Sequence, residues 1–315
     1  AISDTSVIVM IESDTQDDAY VFVRDLETNA NVLFRTSFKI ATTASPKTYV
    51  HRVKVTDLKP NKLYAYAAVQ GGDSSDIASF RTAPAEFTKF RFAVMGDCRS
   101  NPEILSKISK NMSMYKPNFA VYTGDLCYDT KYSSWKDEFF PAAHQDFIAK
   151  FPFFNAVGNH EDWAQNTEAF TQSPTAGTSN SQYYSFDYGN IHFLILSTET
   201  GVGKGGSQWK FAENDLKNSD KPFKIAVFHI PAYSGGGHGE NENMKAFTKG
   251  VLEPNGVDIV FNGHSHFYQH NLVNGIHHFI TAGGGAPLYS PKKQSYTLKS
   301  ARKHHFVIID VFKDK

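Results

Sequence analysis

The sequence predicts two units of different class, an all-β sandwich over residues 1–85 and an α/β domain over residues 86–315. Three observations carry this. The first unit is a succession of short β-prone runs broken by turn residues, with no helical periodicity. The second holds five short apolar runs, each followed directly by a motif that combines Gly with Asp, Asn or His. Between those runs lie segments whose apolar residues recur at helical spacing.

In the first unit, Val7–Ile11, Tyr20–Arg24, Val32–Arg35, Thr48–Val55, Leu63–Gln70 and Ile77–Arg81 read as strands. Turn-rich stretches such as Glu12–Asp17 and Gln70–Ser75 separate them. Regular short strands without helices argue a sandwich. The linker falls near Pro84–Phe87. Beyond it, Phe90–Met95, Phe119–Thr123, Phe153–Val157, Phe223–Phe228 and Val257–Phe261 are long enough for buried strands and too short for most helices. Asn101-Pro102 opens a helix with Ile104, Leu105, Ile108 and Met112 on one face. A second helix, Ser207–Lys217, follows a hairpin over Tyr183–Leu196 that turns at Gly189-Asn190. The last hairpin turns at Asn274-Gly275, and Phe306–Phe312 closes a sheet.

Composition narrows the partners. Lys+Arg 32 balance Asp+Glu 32, for a formal net charge of +0, so nothing predicts broad attraction to nucleic acid or an acidic membrane. The pairs Lys292-Lys293 and Arg302-Lys303 read as solvated surface. No stretch is long and apolar enough to span a bilayer. The chain starts at Ala1 without Met, which is compatible with a processed secreted or periplasmic protein or equally with a trimmed chain, and the composition leaves the oligomeric state open. Cys98 and Cys127 are read as small buried thiols, with a disulfide as the alternative.

The five motifs are GDCRSN at Gly96–Asn101, GDLCY at Gly124–Tyr128, GNHED at Gly158–Asp162, HIPAYS at His229–Ser234 and GHSH at Gly263–His266. Together they offer carboxylate, amide, phenol and imidazole groups, the oxygen and nitrogen donors that hard and borderline cations take, and one carboxylate can bridge two ions. In open α/β sheets the crevice beyond the carboxyl ends of the strands binds ligands, so five strand-end motifs can converge there. The glycines before the Asp, Asn and His residues suit tight turns and close backbone approach.

In order and spacing these motifs resemble the calcineurin-like metallophosphoesterases, and within them the purple acid phosphatases, over roughly Phe90 to Ile309. The wider superfamily reads Asp-x-His in its first motif. Here Cys98 and Arg99 follow Asp97, and Tyr128 stands three residues after Asp125, as in purple acid phosphatases. The resemblance implies a pair of mixed sheets flanked by helices. It assigns a first ion to Asp97, Tyr128 and His266, a second to Asn159, His229 and His264, and makes Asp125 the bridge. A phenolate at Tyr128 implies Fe(III) in the first position, with Zn, Mn or Fe(II) in the second. The expected reaction is in-line hydrolysis of a small-molecule phosphate ester by hydroxide that the ions activate.

By the same comparison His160 and His238 are catalytic, placed to protonate or hydrogen-bond the leaving oxygen. The glycines of Ser234–Gly239 are expected to make that loop flexible, so that His238 swings over substrate. Two departures from the family pattern, Arg99 in place of Gly and His270 in place of Arg, mark those residues as candidates for substrate binding, Arg99 as a fork gripping phosphate oxygens or else a structural Arg paired with Glu161 or Asp162. Trp135 and Trp163 are candidates for an aromatic wall, at least one of them for the core. The segment Val53–Val69 and the FRTAP at Phe80–Pro84 look like the later strands of a fibronectin type III module, and the family is typically extracytoplasmic. Within the family the expectation is a phosphomonoesterase. A phosphodiesterase or nucleotidase on the same site is the alternative, and a binding or adhesion protein with a degenerate phosphatase domain is the third reading.

Overall fold

The structure, a computed structural model, describes residues 1–171 and 182–313. Eight strands come first: β1 (Val7–Ser13), β2 (Tyr20–Asp25), β3 (Asn31–Arg35), β4 (Phe38–Ala41), β5 (Tyr49–Val55), β6 (Leu63–Gln70), β7 (Asp73–Ser74) and β8 (Ala78–Arg81). They make two antiparallel sheets, β1-β5-β4 and β3-β2-β6-β7, with β8 pairing the start of β6 on the same edge as β7. Alternation sets the packing. In β2, Val21 and Val23 are buried while Tyr20 and Phe22 face outward, and the inward set meets Val53, Val55, Tyr64 and Phe80.

Eleven strands follow: β9 (Phe90–Met95), β10 (Phe119–Tyr122), β11 (Phe153–Asn155), β12 (Tyr184–Tyr188), β13 (Ile191–Ile195), β14 (Phe223–Val227), β15 (Ile259–Asn262), β16 (Tyr268–Val273), β17 (Ile276–Thr281), β18 (Thr297–Ala301) and β19 (Val307–Val311). Two mixed sheets result. In β11-β10-β9-β19 only the β19 pairing is antiparallel, and in β12-β13-β14-β15-β17-β16-β18 the four strands from β13 to β17 run parallel.

The two sheets face each other across an aromatic layer. Phe92 meets Phe193 edge-on at 5.4 Å, and Phe119 meets Phe193 at 5.6 Å. Because side chains alternate along a strand, Phe92, Val94 and Val121 enter this inner layer, whereas Ala93, Met95 and Ala120 turn outward under Leu105, Met112 and Phe147 of the helices Pro102–Met114 and Ala142–Lys150. On the other sheet Leu194, Ala226 and Val260 turn outward under Trp209, Leu216 and Phe247 of the helices Ser207–Asn218 and Glu242–Phe247. Asn101 caps the first helix, its side chain accepting from the Ile104 amide at 3.1 Å.

The N-terminal sandwich is welded to this body. Val7, Val53 and Phe80 belong to the same continuous core as Phe90 and Phe92. The Glu12 carboxylate accepts from Tyr132 at 2.7 Å and Lys136 at 2.6 Å, and Arg52 donates to the carbonyls of Glu168 and Thr171. Among the described residues no helix is long and apolar enough to cross a membrane. Both Cys98 and Cys127 are free, buried thiols, so the disulfide alternative falls away.

Candidate metal centre

Five strand ends meet at one place. Asp97 follows β9, Asp125 follows β10, Asn159 follows β11, His229 follows β14, and His264 and His266 follow β15, so both sheets contribute. Backbone bonds stitch the loops together: Asp97 N–H to the Gly124 carbonyl at 2.9 Å, and Gly263 N–H to the His229 carbonyl at 3.0 Å. Close approach explains two glycines. A Cβ on Gly158 would lie 2.3 Å from Asp125 Oδ1, and one on Gly263 2.6 Å from Asp97 Oδ2. Asp97, Asp125 and His264 adopt φ of 56°, 53° and 67°, a left-handed conformation that non-glycine residues hold only where the surroundings over-determine it.

Asp97, Asp125 and His229 bring one donor atom each within 4.8 Å of one another, all three buried. Two carboxylates shut away from water are costly unless cations compensate them. His229 is oriented by its own Nδ1–H, which donates to the Thr123 carbonyl at 2.9 Å. That leaves Nε2 facing Asp125 Oδ1 at 3.2 Å and Asn159 Oδ1 at 3.2 Å. Burial opposes both charges, yet His229 holds the Asp125 carboxyl below its usual range, and Asp125 raises the His229 imidazole to about 10. Burial, with the His229 charge, pushes His264 down to about 3, so its ring is neutral and carries the lone pair a ligand needs. With the His229 Nε2 proton given up in exchange, these crowded nitrogen and oxygen donors fit a metal cation.

The side around His266 is arranged differently. His266 Nδ1–H donates to the Pro287 carbonyl at 2.7 Å, which turns Nε2 toward Asp97 Oδ1 at 3.3 Å. Arg99, buried, lies against the same atoms. Its Nε donates to Asp125 Oδ2 at 3.4 Å, and its Nη2 lies 3.3 Å from His266 Nε2. Tyr128 is exposed, with its ring 5.7 Å from the Arg99 guanidinium carbon and 5.2 Å from the His160 ring. The guanidinium thus pairs with Asp125 and not with Glu161 or Asp162, the partners sequence reasoning offered.

His160 and His238 both border the cluster. The His160 backbone N–H donates to Asp125 Oδ1 at 3.1 Å, its Nδ1–H donates to the Tyr128 carbonyl at 2.6 Å, and its Nε2 lies 3.8 Å from Asp125 Oδ2. The His238 ring sits 4.2 Å from that of His264. His270 lies apart from this group: it hydrogen-bonds His277 at 2.8 Å and stacks on its cross-strand neighbour Phe279 at 4.1 Å. That contact corrects the expectation that it reaches substrate. The Ser234–Gly239 loop is also pinned where mobility was expected. Gly235 N–H donates to Gln269 at 2.7 Å, its carbonyl accepts from Lys292, and a Cβ on it would lie 1.9 Å from the Lys292 carbonyl oxygen, so this glycine serves close packing. Trp135 is fully buried in the core.

Two further residues have roles that the sequence did not indicate. Glu161 is completely buried, and its two carboxyl oxygens accept from Gly158 N–H at 2.9 Å and Leu126 N–H at 3.2 Å, tying the GNHED loop to the GDLCY loop. Burial and the Asp125 charge push its carboxyl up to about 8, so it adds no third negative charge near neutrality. Its signal was its place inside a motif already singled out. Tyr289 stacks on His266 at 4.4 Å and places its hydroxyl 3.4 Å from His238 Nε2. It follows the run Gly283–Gly285, which packs on Gly96 and Cys98 and could have been read as a sixth loop.

The chain is similar to known proteins. Residues 90–268 match the model of the calcineurin-like phosphoesterase family, and residues 1–82 that of the purple acid phosphatase N-terminal domain. The chain is 30% identical over 238 residues to a protein named probable purple acid phosphatase 20 of Arabidopsis thaliana, covering 70% of this chain and 55% of that one. It is 30% identical over 239 residues to purple acid phosphatase 21 of the same plant, covering 70% and 53%. The chain therefore spans about half the length of these curated relatives. In fold it is similar to the purple acid phosphatase PPD1 from yellow lupin (Lupinus luteus) seeds, with a TM-score of 0.79 at 21% identity over 98% of this chain and 68% of that one.

Proposed function

Since the chain belongs to the calcineurin-like phosphoesterases and carries a purple acid phosphatase N-terminal domain, we propose that it hydrolyses small-molecule phosphate esters, monoesters foremost, at a dinuclear metal centre. The observation that carries this reading is the buried cluster of Asp97, Asp125 and His229, whose donor atoms lie within 4.8 Å of one another beside Asn159 and His264. Asn159, His229 and His264 would hold one ion, zinc, manganese or iron(II). Asp97, Tyr128 and His266 would hold the other, iron(III) given the phenol, with Asp125 shared. When bound, the ions neutralise the phosphoryl oxygens and acidify water.

The chain's own groups do the rest. With its Nδ1–H on the Tyr128 carbonyl, His160 turns Nε2 toward the cluster, the atom that would pass a proton to the leaving oxygen. His238, its ring braced by Tyr289 and its imidazole lowered by burial and the nearby His266, offers a hydrogen bond to the leaving oxygen. Arg99 presents a fork of N–H donors for phosphate oxygens. Asp125 and Glu161 keep the loops that carry these groups in register. In the same reading residues 1–85 form a fibronectin type III-like module, residues 86–315 the catalytic domain, and the protein works outside the cytoplasm.

Asp125→Asn tests the reading, because it removes charge and bridging from the middle of the cluster. Turnover of p-nitrophenyl phosphate should fall by about 100- to 1,000-fold, with bound metal reduced. Near-wild-type turnover at full metal content would remove the two-ion assignment.

A further inference from the structure

Arg99 engages two atoms that the first ion would also need. Nε donates to Asp125 Oδ2 at 3.4 Å, and Nη2 lies 3.3 Å from His266 Nε2. The second contact has a fixed sense: because the Pro287 carbonyl can only accept, His266 carries its proton on Nδ1 and offers a lone pair on Nε2, which the guanidinium N–H occupies. In the other half His229 Nε2 itself faces the Asn159 amide oxygen and an Asp125 oxygen, and among the described residues no guanidinium lies between them. Arg99 is nearly closed off from solvent, with 8% of its surface exposed, and its guanidinium offers donors only, so it occupies these acceptor atoms without adding one of its own.

We propose that Arg99 is a built-in competitor for the first ion, so that the two halves of the centre load in order: the His229 half first and tightly, the His266 half second and weakly. The inference rests on the dinuclear reading above and adds to it an unequal occupancy set by one side chain. Arg99 would have to leave Asp125 and His266 before those atoms could hold the first ion, and its N–H fork would then be free to take phosphate oxygens. The Tyr128 ring, 5.7 Å from the guanidinium carbon, would lose that neighbour as well.

Ion binding to the metal-free protein tests this directly. Zn(II) is titrated into wild type, Arg99→Met and Arg99→Lys, with bound ion per chain measured by equilibrium dialysis and elemental analysis, and folding checked by thermal denaturation. Wild type should bind one Zn(II) tightly and a second about 10- to 100-fold more weakly, a range typical of groups that contact metal ligands. Arg99→Met, which keeps the stem and removes the cation, should bind two with closely matched affinities. Arg99→Lys, a charge without the fork, should keep part of the disparity. Two matched ions in wild type, or an unchanged disparity in a folded Arg99→Met, would overturn the competitor role and leave the phosphoesterase reading standing. Absence of ion binding in all three proteins would overturn both.

Discussion

In the half of the centre around His229, the imidazole Nε2 lies 3.2 Å from an Asp125 carboxylate oxygen and 3.2 Å from the Asn159 amide oxygen. In the half around His266 the matching imidazole nitrogen and carboxylate oxygen are spanned by a guanidinium. Both halves come from the same motif set, sit at the carboxyl ends of parallel strands, and orient their histidine by a backbone carbonyl at the far ring nitrogen. The difference teaches that a ligand list does not define occupancy. One residue, two positions past Asp97, decides whether an arranged donor set is open to an ion.

The largest effects that sharpen this comparison are expected from the histidines flanking it. His160 stands beside the Asp125 oxygen that Arg99 also touches, and His238 stands beside His264 in the other half. Both His160→Ala and His238→Ala should slow esters with poor alkoxide leaving groups by roughly 100-fold or more, and activated aryl esters much less, because only the former need a proton. Steady-state rates on an alkyl and an aryl phosphate separate the cases, and the variant with the larger alkyl defect marks the half that the leaving group faces. Equal losses on both substrates would assign these histidines to binding or structure.

A smaller effect, outside the centre, serves as its control. Burial alone would lower His192, at the amino end of β13, yet hydrogen bonds to Asp187 at 2.7 Å and Asp215 at 2.8 Å raise it to about 9. A folded pKa above the ordinary value of about 6.5 stabilises fully below that value, and the contribution is lost as pH rises through about 9. Asp215→Asn should therefore cost about 1–2 kcal/mol at pH 6 and much less near pH 10, read by chemical denaturation of the metal-free protein. A cost independent of pH would show that His192 stays uncharged, and metal binding should be unaffected at either pH.

Much of the fold was legible because strong signals were local. The runs at Phe90–Met95 and Leu63–Gln70 are strands over those very residues, and the Asn101 cap and the turns at Gly189-Asn190 and Asn274-Gly275 fall as read. β4 was missed because it is a short edge strand, mostly exposed and therefore without clear alternation. The helices Ala142–Lys150 and Gln165–Phe170 were missed because their buried residues include His144, Asn166 and Thr167, which carry no apolar periodicity. In the site, the motifs placed the ligand candidates of both halves at adjoining strand ends. The partners of Arg99 and His270 were not readable, since side-chain direction depends on packing between elements far apart in sequence: Arg99 meets His266, and His270 meets its cross-strand neighbour Phe279.

The most direct measurement follows turnover and ion content together. Metal-free wild type is titrated with Zn(II), and at each step the ions bound per chain and the rate on p-nitrophenyl phosphate are recorded. The account predicts no turnover without ion, little through the first tightly bound ion, and a rise that tracks the second. Full turnover in the ion-free protein, or a rate already complete at one ion per chain, would contradict it.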